Sequence, residues 1–178
     1  MIAYRALPGM RFRTRPPGVV EGPIGSGTLD LPRRLPARAG ARDASTFKFT
    51  VTGPHMLAKT LLDRHYARHA PKLAHAIADV LAEQVQHLDA DVVQLDEANL
   101  PGHPDEWEWA ASAINTRPRR RSKTTAGGAP VLRQLRRPER PAAAPGSRLM
   151  RYLNALTADH VVLESAHRPP EELAVFRG

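Results

Sequence analysis

The sequence predicts an α/β fold assembled from parallel βα units, and three observations predict it. Runs rich in β-forming residues alternate with runs of helical period. Glycine or proline marks most of the changeovers. Three of the strand-like runs end in polar or special residues: Gly53-Pro54-His55, Asp96-Glu97-Ala98-Asn99 and Glu164-Ser165-Ala166-His167.

Residues 1–46 are rich in Arg, Pro and Gly, show no sustained period of 2 or 3.6, and read as an irregular or damaged N-terminal segment. The β-alternating run FKFTVTG, residues 47–53, predicts a strand that stops at Gly53-Pro54. Apolar residues at helical spacing predict a helix from Met56 to Tyr66. A second helix is expected from Lys72 to Leu88, where Leu73, Ile77, Leu81, Val85 and Leu88 follow a 3.6 period behind Pro71. Asp91–Leu95 read as the next strand. Pro104 to about Asn115 read as a helix whose opening acids Asp105, Glu106 and Glu108 suit the positive end of the helix dipole. Residues 116–146 then carry five prolines, no aromatic residue and no period. Order resumes with a short amphipathic helix in RLMRYLNAL, a strand in HVVLESA (160–166) and a proline-opened helix in PPEELAVF. Parallel alternation leaves one more strand to be found in the gap before Ser147.

A net charge of +8 in 178 residues would suggest a nucleic-acid partner if it were spread over the chain. It is not spread. Residues 117–151 hold 11 Arg or Lys and one acid, a net of +10, which leaves −2 for the other 143 residues (15 basic, 17 acidic). A basic arm contacting phosphates is one reading of that segment. An out-of-frame translation is the other, since G/C-rich codons read in a shifted frame yield Arg, Pro, Ala and Gly. The second is favoured, because the run interrupts one expected helix and replaces an expected strand. The chain has no cysteine, which excludes a disulfide framework and a thiolate metal site. It has no apolar run long enough for a membrane span and no signal-peptide core in MIAYRALPGMRFRTRPPG, so a cytoplasmic protein with no membrane partner is expected.

In parallel βα architectures ligands bind beyond the carboxyl ends of the strands. The strand-end carboxylates are therefore candidate site residues, although helix caps or solvated loops would use the same residue types. Here the residues become recognisable. FTVTGPHMLAKTL, LAEQVQHLDADVVQLDEANL and YLNALTADHVVLESAHRPPEEL resemble the catalytic barrel of the cobalamin-independent methionine synthase family, over about residues 47–115 and 147–178. That family includes short archaeal-type members and related zinc-dependent alkyl transferases.

The resemblance implies a (βα)8 TIM barrel larger than this chain, of which residues 47–178 would form a middle part, with 116–146 an aberrant insert-like stretch, disordered or frame-shifted. It implies methyl transfer from 5-methyltetrahydrofolate to homocysteine, with zinc as cofactor. A variant would alkylate another thiol such as coenzyme M. Asp96 matches the carboxylate that holds the amino group of homocysteine, and Glu97 beside it would line the site or support it. Glu164 in VVLESA matches the glutamate that ligates the zinc, where the metal would bind the thiol and lower its pKa. No residue is singled out as catalytic.

This sequence departs from the family where the Arg/Pro run stands in place of a His-x-Cys pair of zinc ligands. A further cysteine ligand of the family, placed toward its C-terminus, has no counterpart either. Ile24-Gly25-Ser26 is similar to a substrate-carboxylate turn of the family but stands too near Gly53 to serve as one. Activity of this chain is therefore not expected.

Other features have simpler explanations. His65 and His69, at i and i+4, could share a metal on a helix. No third ligand is in view and Pro71 follows at once, so an exposed helix end is the better reading. GPIGSG, 22–27, lacks the Lys-Ser/Thr of a phosphate loop and reads as a turn. Trp107 and Trp109 cannot share a helix face, so one is expected to pack and the other to shield the loop.

Overall fold

A computed structural model describes residues 2–4, 17–34, 47–88, 90–116, 127–132, 146–159 and 161–163. Its centre is an all-parallel sheet of four strands, β3 (Lys48–Thr52), β5 (Val92–Asp96), β6 (Gly127–Leu132) and β7 (Val162–Leu163), in the order β3-β5-β6-β7. Lys48 pairs with Val92 and Thr52 with Asp96; Val92 pairs with Gly127 and Val131 with Val162. Helices α2 (Pro54–Thr60) and α3 (Ala70–Val85) connect β3 to β5. Helix α4 (Trp107–Ile114) follows β5, and α5 (Gly146–Ala155) precedes β7. The expected α/β class with parallel pairing is present. Among the described residues the sheet is open, and no closed barrel is formed.

The pleat sorts the side chains. Phe49 and Val51 of β3 and Val93 of β5 pack with Phe47, Val85 and Leu88, so this face of the sheet is apolar. Gln94 and Asp96, two apart, share the opposite face, and the Gln94 amide donates to Asp96 Oδ1 at 2.7 Å. Helix α3 buries Leu73, Ala74, Ile77 and Ala78 against Ala58, Ala113 and Val20. Its hydrophobic stripe is the one the 3.6 period indicates, and it starts at Ala70 because His69 Nδ1 caps the amide of Lys72 at 3.2 Å.

Three expectations need correction. The helix expected over Met56–Tyr66 ends at Thr60, and Leu62–Asp63 form a short strand, β4. Asp63 Oδ1 accepts from the amides of His65 and Tyr66 at 2.9 and 2.7 Å, a local turn that competes with helix. Ala67 and Arg68 then take φ of 56° and 59°, which no right-handed helix permits. His65 and His69 consequently do not lie on a helix. His65 stands edge-on to Tyr66, and His69 is the cap already described.

The N-terminal segment is the second correction. It contributes β1 (Ile2–Tyr4), β2 (Gly18–Val20) and α1 (Leu31–Arg34); β2 pairs antiparallel with β1 and parallel with β4. Val19 and Val20 are each 1% exposed, as deeply buried as Leu73 of α3. Three residues are too few to display a period, which is why the pattern hid them. The GPIGSG stretch forms a turn, with the Leu29 amide donating to the Ser26 carbonyl at 2.8 Å and Gly27 at φ 53°.

The third concerns residues 116–146. The strand expected in the gap before Ser147 is present, as β6 between β5 and β7, so the reading of this stretch as disordered or frame-shifted is corrected over Gly127–Leu132. Gly127-Gly128-Ala129-Pro130 are poor strand formers, and pairing with Val92–Leu95 of β5 supplies what propensity does not. The rest of that stretch, 117–126 and 133–145, lies outside the described residues, as do residues 164–178 with Glu164 and the PPEELAVF helix.

Candidate functional site at the carboxyl ends of the parallel strands

The strands β3 and β5 end side by side at Thr52 and Asp96, and the chain turns into helix just beyond each. Helix α2 opens with Gly53 as its cap residue and Pro54 in its first turn, so no side chain next in sequence satisfies the exposed amides. Glu97 does so from the neighbouring strand end. Its Oε1 accepts from the His55 amide at 2.8 Å and its Oε2 from the Met56 amide at 2.9 Å. Glu97 is 0% exposed, and the aligned amides of a helix start are a setting in which a buried carboxylate can be stable. The Gly53 amide in turn donates to the Asp96 carbonyl at 2.8 Å. The two loops are thus joined at Asp96–Glu97 by three hydrogen bonds.

The His55 side chain continues the network. It is fully buried, lies at 4.7 Å between centroids from the Trp109 ring, and meets His103 edge-on at 6.3 Å. Its Nε2 is 2.8 Å from Glu106 Oε2, and its Nδ1 faces Glu97 Oε2 at 3.6 Å, beyond hydrogen-bond reach. Lys59 Nζ donates to the other oxygen of Glu106 at 2.9 Å. Burial on its own would raise the Glu106 pKa. The hydrogen bonds from Lys59 and His55 outweigh it and hold the carboxyl below its usual 4.5. An ionised carboxylate only accepts, so His55 Nε2 is the nitrogen that carries a proton toward it.

Tyr152 of α5 closes the other side. It is 0% exposed and packs with Leu100, Ala110 and Ala111. Burial, with the charge of Glu97 added, pushes its hydroxyl well above the usual range for tyrosine. The hydroxyl has no hydrogen-bond partner among the described residues. Asn115 fastens α5 to α4, donating to the Ala155 carbonyl at 2.7 Å and accepting from the Thr157 amide at 2.9 Å.

Of the residues singled out from sequence, Asp96 and Glu97 stand together here but face different surroundings. Glu97 is enclosed by α2, whereas Asp96 is half-buried on the polar face of the sheet beside Gln94. Glu164 lies outside the described residues. The two tryptophans both pack, Trp107 on the Tyr152 cluster and Trp109 on the α3 cluster and His55, so neither is a loop shield alone. His55, Lys59 and Glu106 enter the site from structure. His55 had been visible only as part of the strand-end Gly-Pro-His, and Glu106 only as an acid suited to a helix start.

The resemblance implies zinc, and the residues do not fit it. The chain has no cysteine, and no three His, Asp or Glu residues converge to hold a metal among the described residues. His55 and Glu106 are already bonded to each other, and Glu106 also to Lys59.

No profile of a known protein family matches the chain, and no curated protein does. Among solved structures, a B12-independent methionine synthase from Shewanella sp. W3-18-1, in complex with selenomethionine, is similar in fold. The TM-score is 0.57 at 22% identity, over 75% of this chain and 42% of that one. The chain thus spans less than half the length of that protein. No helix among the described residues is long and apolar enough to cross a membrane.

Proposed function

We propose that this chain carries part of the substrate site of a cobalamin-independent methionine-synthase-like protein, and that Asp96 holds the ammonium group of homocysteine. The observation that supports it most is the position of Asp96. It ends β5 on the polar face of a parallel sheet, half-buried, in a fold similar to that of a methionine synthase solved with an amino-acid ligand. Selenomethionine bears the same ammonium and carboxylate as homocysteine, and a strand-end carboxylate is a matched partner for the first of these. In this reading Glu97 supports the site by holding the start of α2 and does not touch substrate. Methyl transfer from a methyl-folate to the homocysteine thiol is the reaction that the resemblance attaches to the site. Because the donor set does not fit zinc, no step of the reading runs through a metal, and this chain is expected to bind the amino acid without turning it over.

Titration of the chain with L-homocysteine, comparing wild type with Asp96→Asn, tests this. A hydrogen bond to a charged group is worth about 1.5–3 kcal/mol, so affinity should fall on the order of 10- to 150-fold. The thermal midpoint should stay within a few degrees. Unchanged affinity with a large fall in midpoint would make Asp96 a stability residue, and absence of saturable binding to the wild type would remove the assignment.

A further inference from the structure

His55 grips both ends of the segment that joins β5 to α4. Its amide holds Glu97, the first residue beyond β5, and its ring holds Glu106, at the end of the turn that leads into α4. Asp96 is held at this corner, since its carbonyl receives the Gly53 amide and its neighbour Glu97 receives the His55 amide. Being 0% exposed, the imidazole has no surface with which to meet a ligand. The ring is bonded through Nε2 alone, to Glu106, while Nδ1 faces Glu97 at 3.6 Å without a hydrogen bond. The bonds that matter here are therefore two, the backbone amide on Glu97 and the ring on Glu106, and those two carboxylates stand at the two ends of a single loop. Lys59, one helical turn along α2, occupies the second oxygen of Glu106 and so fixes the plane of that carboxylate.

We propose that His55 is a positioning residue for the Asp96 ligand site. Through its bond to Glu106 it draws the segment Leu100–Glu106 against α2 and holds the loop that follows Asp96 in its binding geometry. The link to a ligand rests on the reading that Asp96 binds an amino acid; the hold on the loop does not.

The experiment compares wild type, His55→Ala, His55→Gln and, as a control on the surface half of the network, Lys59→Ala. Two quantities are read on the full chain. One is affinity for L-homocysteine. The other is amide exchange at Gly102, His103 and Glu106, whose amides close the turns of this segment onto Asn99, Leu100 and His103. His55→Ala should weaken binding about tenfold or more and speed exchange at those three amides by a similar factor, as loss of a charge-assisted hydrogen bond does. Exchange in α3 should stay unchanged. Glutamine keeps an N–H that can reach Glu106, so His55→Gln should recover most of both losses, and Lys59→Ala should give less than half of the alanine effect on a logarithmic scale.

Equal acceleration in α3 and in Leu100–Glu106, or no rescue by glutamine, would reduce His55 to a core residue and overturn the proposal. Faster loop exchange with unchanged affinity would also overturn it, because the loop would then not matter to Asp96. If the wild-type chain binds no homocysteine, the Asp96 reading fails on its own, and the exchange and rescue comparison still decides whether His55 holds the loop.

Discussion

Gly53 has no side chain because Glu97 occupies the place where one would go. A Cβ at Gly53 would lie 2.6 Å from both Cγ and Cδ of Glu97 and would also overlap its Oε1. The backbone is not the obstacle, since φ of −70° and ψ of 159° suit alanine well. Glu97 cannot simply swing aside, because its two oxygens hold the His55 and Met56 amides and it is fully buried. Gly53→Ala should therefore break one or both of those bonds. Hydrogen bonds to a charged group are worth about 1.5–3 kcal/mol each, so a loss of about 3 kcal/mol is expected. That is a large share of the ~5–15 kcal/mol by which domains are stable. Urea unfolding followed by the fluorescence of Trp107 and Trp109 measures it.

The Glu97→Ala background gives the decisive comparison. Without Glu97 the overlap is gone, and Gly53→Ala should be neutral or stabilising by up to about 1 kcal/mol through the lower entropy of the unfolded chain. The coupling between the two sites should then be about 3 kcal/mol. A cost for Gly53→Ala below about 1 kcal/mol, or an equal cost in both backgrounds, would refute the close-approach argument.

Three further outcomes follow from the same site. Glu106 has a folded pKa below its unfolded value, so its contribution to stability is complete above about pH 4.5 and is lost as pH falls through the folded value. Glu106→Gln should accordingly flatten the acid limb of the midpoint-against-pH curve, and an unaltered limb would show that the Lys59 and His55 bonds do not stabilise the fold. Tyr152→Phe removes a buried hydroxyl with no hydrogen-bond partner among the described residues and should leave stability unchanged or raise it by about 1 kcal/mol. A loss greater than that would reveal a partner. Metal analysis of the purified chain should find zinc well below one per molecule, since without a cysteine it cannot supply the ligand set that the resemblance implies; stoichiometric zinc would contradict this.

Much of the fold was legible in the sequence, and the physical reason is length. Helix α3 declares itself because Leu73, Ile77, Leu81 and Val85 repeat at 3.6, although Leu88, next in the period, lies beyond its end; β3 and β5 do so because β-formers cluster before a Gly-Pro corner or a carboxylate pair. Strands β2 and β4 are illegible because two or three residues carry no period, and β6, expected in the gap before Ser147, is not located by a Gly-Gly-Ala-Pro run that carries none. Their strand state is imposed by partners distant in the chain. The helix expected over Met56–Tyr66 is too long because periodicity carries no sign that Asp63 accepts from the amides of His65 and Tyr66.

The site divides along the same line. Sequence alone determined that carboxylates stand at the end of β5, that no thiolate is present to hold a metal, and that the excess positive charge belongs to one segment. Only the tertiary structure decided that adjacent Asp96 and Glu97 have opposite fates, one on the polar face of the sheet and one enclosed beneath Gly53. It also decided that Glu106 meets a histidine 51 positions away. The reason is that burial and hydrogen bonding are properties of neighbours in space. Along a chain, a carboxylate that caps a distant helix and a carboxylate that waits for a ligand are the same residue type at the same strand end.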